Sequence, residues 1–433
     1  MADEFDAIVV GAGLAGSTAA LRLARGGANV LLLERGPEPG VKNLSGGVLW
    51  GQDLAALLPE WWKEMPLERH IVRKRFGFLS ADRALSTVFE EPAWDRPPYV
   101  AHSVLRARTD AWLARKAEEA GATLVTGVPV ERLAWEDARV RGVVQSGETM
   151  SAPVTLLCDG ANSRVSLATP IRPEARLSAD ATELGIKEVY SLPAAEIEER
   201  FQLAPGQGHA EEWVYGGGPP GVMAGGFLYT NQDTLSLGLI VQIGSLFGTG
   251  AHSHDLLERF KLHPAIAPRL EGATLVEYGA KLISSGWASR PATFHGPGWM
   301  VCGDAAGFVF SNGLVIQGMN YAIRSGLLAA ETALECRTGG RYDARALSAY
   351  DRRLESMGVL ADFREFEGLD RVKWNPRFYS VYPRLATQLF HQRLVADGGP
   401  KPNLLALLAR LRRSEGLPIR AILSDGLDAA QEL

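Results

Sequence analysis

A glycine-rich turn near the N-terminus has the spacing of a nucleotide-binding loop. Gly11, Gly13 and Gly16 follow an apolar run over 5–10 and precede a segment of small residues. The first glycine permits a tight turn, the second lets the backbone approach a pyrophosphate, and the third allows the following helix to pack closely. Amide groups at the start of that helix would hold the phosphates. The spacing therefore predicts a dinucleotide site.

Glu34 narrows the choice of dinucleotide. It ends a second apolar run over 29–33, about 20 residues after the glycines, where a carboxylate can accept the ribose hydroxyls. A carboxylate in this place disfavours a 2′-phosphate, so FAD or NAD is expected rather than NADP. Further contacts with the dinucleotide are expected from Leu14, Ala15, Arg35 and Val128.

Two later segments favour FAD over NAD. One apolar run ends in Asp159-Gly160, and another ends in Gly303-Asp304 with Gly307 close behind. A simple NAD dehydrogenase would continue into its substrate domain without further nucleotide contacts. Asp304 is expected to hold the ribityl chain or the pyrophosphate through a bridging group. FAD is therefore the predicted cofactor.

A glycine-containing segment precedes a predicted helix over 321–336 and gives an electrostatic reason to expect a flavin there. Its predicted cofactor contacts are Gly313, Ile316, Gln317, Gly318 and Met319. A reduced flavin carries negative charge, which the N-terminal end of a helix stabilises. Arg108, near the start of another predicted helix, is expected to lie along the FAD. The alternative is an ordinary exposed arginine.

Composition excludes several other classes of function. The net charge is −5, with 45 Lys and Arg against 50 Asp and Glu, so no nucleic-acid partner is expected. The three cysteines, Cys158, Cys302 and Cys336, form no CxxC pair, which argues against a disulfide framework, a zinc site or an iron–sulfur cluster on this chain. We expect no metal and no catalytic side chain, because in flavin electron transfer the cofactor does the chemistry.

The N-terminus is acidic, unlike a signal peptide, and no apolar stretch approaches the ~20 residues of a spanning helix. A cytoplasmic location is therefore expected.

The order of the three glycine–acid segments resembles the glutathione-reductase-like flavoproteins of the p-hydroxybenzoate-hydroxylase branch. The resemblance implies an α/β fold: a glutathione-reductase-like FAD domain, an inserted antiparallel β-sheet substrate domain and a helical C-terminal region. The expected boundaries are 1–75, 100–170 and 290–340 for the discontinuous FAD domain, 76–99 and 171–289 for the quinone or substrate domain, and 341–433 for the helical region.

Two further motifs give a closer resemblance. KNLSGG at 42–47 and AGGFLY at 224–229 are similar to the FixC-type branch of the electron-transfer-flavoprotein:quinone oxidoreductases. The match implies FAD contacts at Lys42, Ser45, Gly46 and Gly47. It also implies that Gly225 and Gly226 lie against a quinone headgroup, since a flat ring needs close backbone approach. The alternative is that these two glycines only form a loop entering a strand.

The resemblance implies a relay that takes electrons from an electron-transfer flavoprotein through non-covalent FAD to a membrane quinone. No cysteine follows residue 340, so we expect this chain to lack the family's [4Fe-4S] domain. A separate small ferredoxin-like iron–sulfur subunit and two electron-transfer-flavoprotein subunits are implied, with the chain peripheral at the inner face of the membrane. Both an electron-bifurcating complex and simple delivery toward nitrogenase remain open.

Three alternative functions are a geranylgeranyl-reductase-like enzyme, a docking subunit with a structural FAD, and a flavin monooxygenase. In the tail, the helix predicted over 403–413 either lies on an anionic membrane or packs on its own protein, and we favour the second. The stretch 373–379 is expected to lack regular structure and to form a surface for the ferredoxin-like partner.

Overall fold

The computed structural model describes residues 5–43, 46–162, 164–167, 171, 178–284, 289–396, 398–399 and 401–432. The strands are β1 Ala7–Val10, β2 Val30–Leu33, β3 Gly47–Leu49, β4 His70–Leu79, β5 Ala84–Glu90, β6 His102–Val104, β7 Thr123–Val125, β8 Arg132–Glu136, β9 Arg139–Gln145, β10 Glu148–Ser151, β11 Thr155–Leu157, β12 Thr182–Ser191, β13 Gln207–Tyr215, β14 Ala224–Thr230, β15 Thr234–Gln242, β16 Thr274–Ser284, β17 His295–Gly296, β18 Trp299–Val301, β19 Phe310–Ser311 and β20 Ile316–Gln317. The helices are α1 Leu14–Arg25, α2 Trp61–Glu64, α3 Arg106–Glu119, α4 Arg164–Leu167, α5 Ala194–Phe201, α6 Ser253–Lys261, α7 Met319–Gly339, α8 Ala344–Leu347, α9 Ala349–Ser356, α10 Val359–Glu365, α11 Leu369–Lys373, α12 Pro376–Tyr379, α13 Val381–Leu394, α14 Leu404–Ser414 and α15 Ile419–Glu432.

A six-stranded sheet in the order β17-β18-β11-β1-β2-β7 carries the first predicted motif. β1 pairs in parallel with β2 on one side and with β11 on the other, and all four of its residues are buried. Parallel strands covered on both faces have continuous apolar sequences, as β1 and β2 do. The predicted strand–helix–strand unit is confirmed.

Helix α1 packs closely on β1 and the glycine turn on one side and on α7 on another, because a glycine lies at each contact. A Cβ on Gly16 would collide with the Gly11 carbonyl, and one on Gly326 would collide with the Ala15 carbonyl. The two glycines therefore set how near each helix comes to its neighbour. This brings the N-terminal end of α7 to the same edge of the sheet as the N-terminal end of α1.

A nine-stranded sheet forms the second layer. Its main path runs β16-β12-β15-β14-β13-β4-β6-β3, and β5 pairs with β4. The pairing is antiparallel except between β13 and β4. One face packs on α5 and α6 through an apolar core that includes Ile197 and Phe260. Residue 75, a predicted domain boundary, lies inside β4.

The C-terminal region is helical and contacts the nine-stranded sheet. Lys373 forms an ion pair with Glu183 of β12. The prediction that residues 373–379 lack regular structure is wrong, because α11 ends at Lys373 and α12 spans 376–379. The Asn375 side chain accepts from Arg377 N at 3.1 Å and begins α12, a capping signal that the prediction overlooked.

The predicted α/β architecture with a largely antiparallel second sheet and a helical C-terminal region is confirmed. In the described part of the chain, none of the helices has the length and apolar character needed to cross a bilayer.

Candidate functional site

A cavity of about 700 Å³ lies at the edge of the six-stranded sheet where α1 and α7 begin. Most of the predicted cofactor contacts line it, namely Gly11, Gly13, Leu14, Ala15, Glu34, Arg35, Lys42, Gly46, Val128, Asp159, Gly160, Asp304, Ile316, Gly318 and Met319. Its volume is within the range of small-molecule and cofactor pockets. The nine-stranded sheet contributes Lys281 and Ile283 to the same cavity.

The glycine turn leaves the start of α1 open to the cavity. Gly11 has a φ of +100°, and a Cβ there would collide with the Cys158 carbonyl. A Cβ on Gly13 would meet no atom closer than 3.9 Å, so the space beside it is free. Gly13 caps α1 without a side-chain hydrogen bond. The first amides of α1 are therefore available to an anionic group such as a pyrophosphate.

The Glu34 carboxylate is fixed by the backbone. Its two oxygens accept from Ala12 N at 3.0 Å and from Gly36 N at 2.7 Å, and the residue is buried. These bonds hold the carboxylate beside the glycine turn, and each oxygen keeps acceptor capacity for a hydroxyl. A ribose is a group that fits this arrangement.

The two predicted aspartates lie at the ends of neighbouring strands. Asp159 follows β11 and accepts from Val165 N at 2.9 Å and from Ser166 Oγ at 3.0 Å. Burial raises the pKa of the Asp159 carboxyl above its ordinary value, and these two hydrogen bonds act in the opposite direction. Asp304 follows β18, in a short turn of 3₁₀ helix over 303–306.

A second helix begins at the cavity. Gly318 caps α7 without a side-chain hydrogen bond, and Met319 and Ala322 line the cavity. A Cβ on Gly318 would lie 3.7 Å from Asp304 Oδ1. The positive ends of two helices therefore meet the same space, an arrangement that suits a ligand with a pyrophosphate and with a second group that gains negative charge.

A chain of polar contacts that the sequence prediction missed forms one wall. Arg106 lines the cavity and donates twice, at 2.8 Å each, to the buried Asp110. Asp110 also accepts from Asn43, which in turn accepts from Lys281. Burial lowers the pKa of the Lys281 ammonium, as does the nearby Arg106. The signal available in the sequence was the i, i+4 spacing of Arg106 and Asp110.

Arg108 is not among the residues that line the cavity. Its side chain is 60% exposed and pairs with Glu68 at 3.2 Å. Arg106, two residues earlier, provides the cationic side chain on the cavity wall. The remaining predicted contacts outside the lining are Gly16, Gly47, Gly303, Gly307, Gly313 and Gln317. Ser45 lies outside the described residues.

The two glycines predicted to contact a quinone lie on opposite faces of β14. A Cβ on Gly226 would collide with the Phe260 ring, which belongs to the core beneath the sheet. A Cβ on Gly225 would be 3.6 Å from its nearest atom, the Trp213 carbonyl oxygen. Only Gly225 shares the cavity-side face with Lys187 and Lys281, as the strand register shows.

The cavity as a whole fits FAD. It combines open amides at a helix start, a fixed carboxylate for a ribose, a cationic wall and a second helix end. When bound, FAD supplies the transfer of electrons, and the protein orients it and sets its electrostatic surroundings. Among the described residues, no cluster of three or more His, Cys, Asp or Glu side chains is arranged to hold a metal ion.

Comparisons with known proteins agree with this geometry. Residues 6–94 match the protein family described as FAD dependent oxidoreductase, and residues 182–283 match the family described as ETF-QO, ubiquinone-binding. The second match spans β12 to β16, and Lys281 and Ile283 of β16 line the cavity.

Relatives match along the whole chain. It is 37% identical to the probable electron transfer flavoprotein-quinone oxidoreductase YdiS of Escherichia coli K12, over 100% of this chain and 99% of the relative. It is 39% identical to Protein FixC of the same strain over 98% of both chains. It is 33% identical to Protein FixC of Azotobacter vinelandii over 93% of this chain and 92% of that one.

Solved structures share the fold at low identity. A geranylgeranyl bacteriochlorophyll reductase-like protein from Thermoplasma acidophilum has a TM-score of 0.71 and 18% identity, covering 98% of this chain and 99% of the other. The myxobacterial chondrochloren halogenase CndH has a TM-score of 0.66 and 21% identity, covering 95% and 96%.

Fold, cavity and family matches together define an FAD-dependent oxidoreductase. Within that class, the chain belongs to the FixC and electron-transfer-flavoprotein:quinone oxidoreductase family, as its motifs predicted, and is an electron-transfer enzyme.

Proposed function

We propose that this chain accepts electrons from an electron-transfer flavoprotein and passes them to a membrane quinone. FAD is bound non-covalently in the cavity through those predicted residues that line it, with Arg106 added. The observation that carries the proposal is the match of 182–283 to a ubiquinone-binding family in the sheet that closes the FAD cavity. The names of YdiS and FixC support the same donor and acceptor classes.

The quinone contact is assigned to Gly225. It faces the cavity side of the nine-stranded sheet and has open space beside its backbone. Gly226 has a packing role against Phe260 instead. The division into an FAD domain over 1–75, 100–170 and 290–340, a quinone domain over 76–99 and 171–289, and a helical region over 341–433 remains part of the proposal.

The test is electron flow in both directions. Purified protein should carry FAD, be reduced by a reduced electron-transfer flavoprotein, and be reoxidised by a short-chain ubiquinone analogue. Gly225→Val should raise the KM for the quinone and leave reduction by the donor unchanged. FAD that no quinone reoxidises, in a chain that still assembles with its partners, would show a docking subunit. Saturation of a prenyl lipid would show a geranylgeranyl-reductase-like enzyme.

The proposed complex contains two electron-transfer-flavoprotein subunits and a small ferredoxin-like subunit that carries the [4Fe-4S] cluster. Its composition is tested by purifying the tagged chain from its host and identifying the partners by mass spectrometry. Bifurcation is tested in that complex by asking whether NADH reduces ferredoxin only when quinone is also present.

We place the protein in the cytoplasm, peripheral at the inner face of the membrane. Support comes from the tip where α13 ends and α14 begins, two segments joined by a hydrogen bond of 3.2 Å from Arg393 to the Pro402 carbonyl. Leu394 and Leu405 at this tip are 78% and 79% exposed. Arg393 and Arg410 provide nearby positive charge, and such a mixture suits an anionic lipid surface.

The inner face of α14 packs on the protein, with Leu407 and Leu411 buried. The double substitution Leu394→Asp with Leu405→Asp should therefore reduce sedimentation with anionic vesicles without unfolding the helix. Leu407→Ala is the contrasting variant, because it should lower stability and leave vesicle binding intact. Equal vesicle binding by the wild type and the double variant would contradict a membrane-facing tip.

A further inference from the structure

Lys187 is a buried lysine on the cavity side of the nine-stranded sheet. Its side chain runs between two glycines, since Lys187 pairs with Gly238 of β15 and with Gly279 of β16. The residue is 2% exposed. Other lysines of this sheet and its covering helix, Lys74 and Lys261, lie at 2.9 Å from the carboxylates of Glu212 and Glu188. Lys187 instead donates to a backbone carbonyl.

That carbonyl belongs to Gly46, which lines the FAD cavity. Lys187 Nζ donates to Gly46 O at 2.5 Å. Gly46 has a φ of +75°, and a Cβ there would lie 2.6 Å from Lys187 Nζ and nearer still to Ser236 Oγ. The amine and the hydroxyl therefore support one side of the Gly46 backbone, whose other side faces the cavity.

Gly46 lies near the part of the cavity where the reducible ring of the cofactor is expected. A Cβ on the adjacent Gly47 would lie 3.1 Å from Met319 Cε, at the start of α7. This helix end is the one expected to face the group that gains negative charge. The Gly46 backbone therefore lies between Lys187 and the region of the cavity where electrons would arrive.

We propose that Lys187 takes up a proton when the bound flavin is reduced and so couples electron transfer to proton transfer. This inference rests on the proposed placement of FAD. Upon two-electron reduction the flavin gains two electrons and one proton and becomes an anion. The neutral amine of Lys187 takes a second proton from solvent and becomes an ammonium. When the flavin passes two electrons to a quinone, both protons are available to form the quinol.

The burial of Lys187 supports a neutral amine before reduction. Transfer of an ammonium into a buried site is unfavourable unless a charge compensates it. Burial lowers the pKa of Lys187 well below its ordinary value, the carboxylate of Glu277 raises it, and the cation of Arg106 lowers it. An added negative charge in the cavity shifts this balance toward the ammonium.

The charged groups that face the same space come from four parts of the fold. They are Glu277 and Lys281 on β16, Arg106 and Asp110 on α3, Arg35 after β2 and Asp304 after β18. The charges of these groups set the pKa of Lys187 before reduction. The negative charge of the reduced flavin is then added to them and raises that pKa.

The test is the pH dependence of the flavin midpoint potential. For a two-electron couple, each proton taken up changes the potential by about 30 mV per pH unit. We expect a slope of about 60 mV per pH unit in the wild type and about 30 mV in Lys187→Gln, which keeps a hydrogen-bond donor for Gly46 but cannot titrate. Lys261→Gln, on the opposite face of the sheet, is the matched control and should keep the wild-type slope.

Equal slopes in the wild type and Lys187→Gln would overturn the proposal. Proton uptake on photoreduction, followed with an indicator dye in weak buffer, gives a second comparison of the wild type with Lys187→Gln. Two protons per flavin in the wild type and one in Lys187→Gln support the role of Lys187, and equal counts in the two proteins overturn it. Failure of the wild type to bind FAD would refute the FAD placement itself. Loss of quinone reoxidation with the slope intact would refute only the proposed acceptor.

Discussion

Gly13 shows how a single missing side chain can serve a ligand instead of the fold. Gly11 and Gly16 are required by the protein, since a Cβ on either would collide with backbone atoms. Gly13 has a φ of −80°, which any residue can adopt, and the nearest atom to its Cβ position is 3.9 Å away. The fold therefore does not require a glycine at position 13. The absence of a side chain there leaves space for a ligand.

Gly13→Val should weaken FAD binding by at least tenfold, because its side chain occupies the space beside the first amides of α1. The cost in stability should be about 1 kcal/mol or less, the size of a changed helix cap. Titration of the apoprotein with FAD and denaturant unfolding measure the two effects. Gly339→Ala, in open space near the end of α7, is the control and should lower neither the FAD affinity nor the stability. Unchanged FAD affinity in Gly13→Val would remove Gly13 from the site.

The arginines of α3 show where residue-level prediction from sequence stops. The glycines and acids of the cofactor motif could be predicted because each follows an apolar run that defines its strand. Arg106 and Arg108 belong to one Arg-Ala-Arg stretch, and their types alone do not distinguish them. The helix starts at Arg106, and the buried Asp110 one turn later holds its guanidinium. That choice depends on the position of α3 against the cavity, which only the folded chain supplies.

At the scale of elements, the alternation of faces along β14 puts one glycine against the core and the next on the cavity side. Successive residues of a strand point to opposite faces, so adjacent glycines cannot both face one ligand through their Cα positions. Gly226 admits the Phe260 ring from below, and Gly225 opens toward the cavity side. The GGFLY motif predicted a quinone contact for both glycines, but the assignment of each glycine required the register of β13, β14 and β15.

The matched pair Gly226→Ala and Gly225→Ala tests this assignment. Gly226→Ala should lower the free energy of unfolding by about 1–3 kcal/mol, as overpacking of a core does. Gly225→Ala should change it by about 0.5 kcal/mol or less. Chemical denaturation compares the two proteins. The reverse order of stabilities would contradict the assignment of Gly226 to the core face of β14 and of Gly225 to the cavity face.

Helix α15 is held to α12 and α13 by one buried carboxylate. Asp425, 3% exposed, accepts from Arg377 Nε at 2.6 Å, from Asn375 Nδ2 at 2.8 Å and from Tyr382 Oη at 2.5 Å. The Arg377 guanidinium, the strongest influence, lowers the pKa of Asp425 to about 2, with help from Tyr382 and Asn375, while burial acts in the opposite direction.

Asp425→Asn should lower the stability of the C-terminal helices by about 2 kcal/mol at neutral pH. The folded pKa lies below the ordinary value of 3.8, so the contribution is present above pH 3.8 and is lost as pH falls toward 2. Hydrogen exchange of residues 401–432 across this range measures it. Asp428→Asn on the same helix is the control. A difference from wild type that persists unchanged at the acidic end would contradict the ionic origin of the effect.

At the scale of the whole molecule, the sequence predicted which segments form buried strands better than it predicted which distant segments contact each other. Continuous apolar runs predicted the buried parallel strands, because that pattern is local. The position of β3 and β6 in the nine-stranded sheet was not predicted, since each is three residues long and finds its partner far away in sequence. The contact of α11 with β12 through Lys373 and Glu183 is equally non-local.

The order of strands in the six-stranded sheet has a consequence for how the protein is made. β1 is translated well before its partner β11 at 155–157 and before the next strand, β18, at 299–301. The early strands must therefore wait, with their apolar surfaces uncovered, while the whole inserted sheet is synthesised. Met319 and Ala322 complete the cavity wall later still. The cavity is thus complete only after α7 has been synthesised, and a nascent chain that stalls before α7 would be a substrate for chaperones and proteases before it could become a flavoprotein.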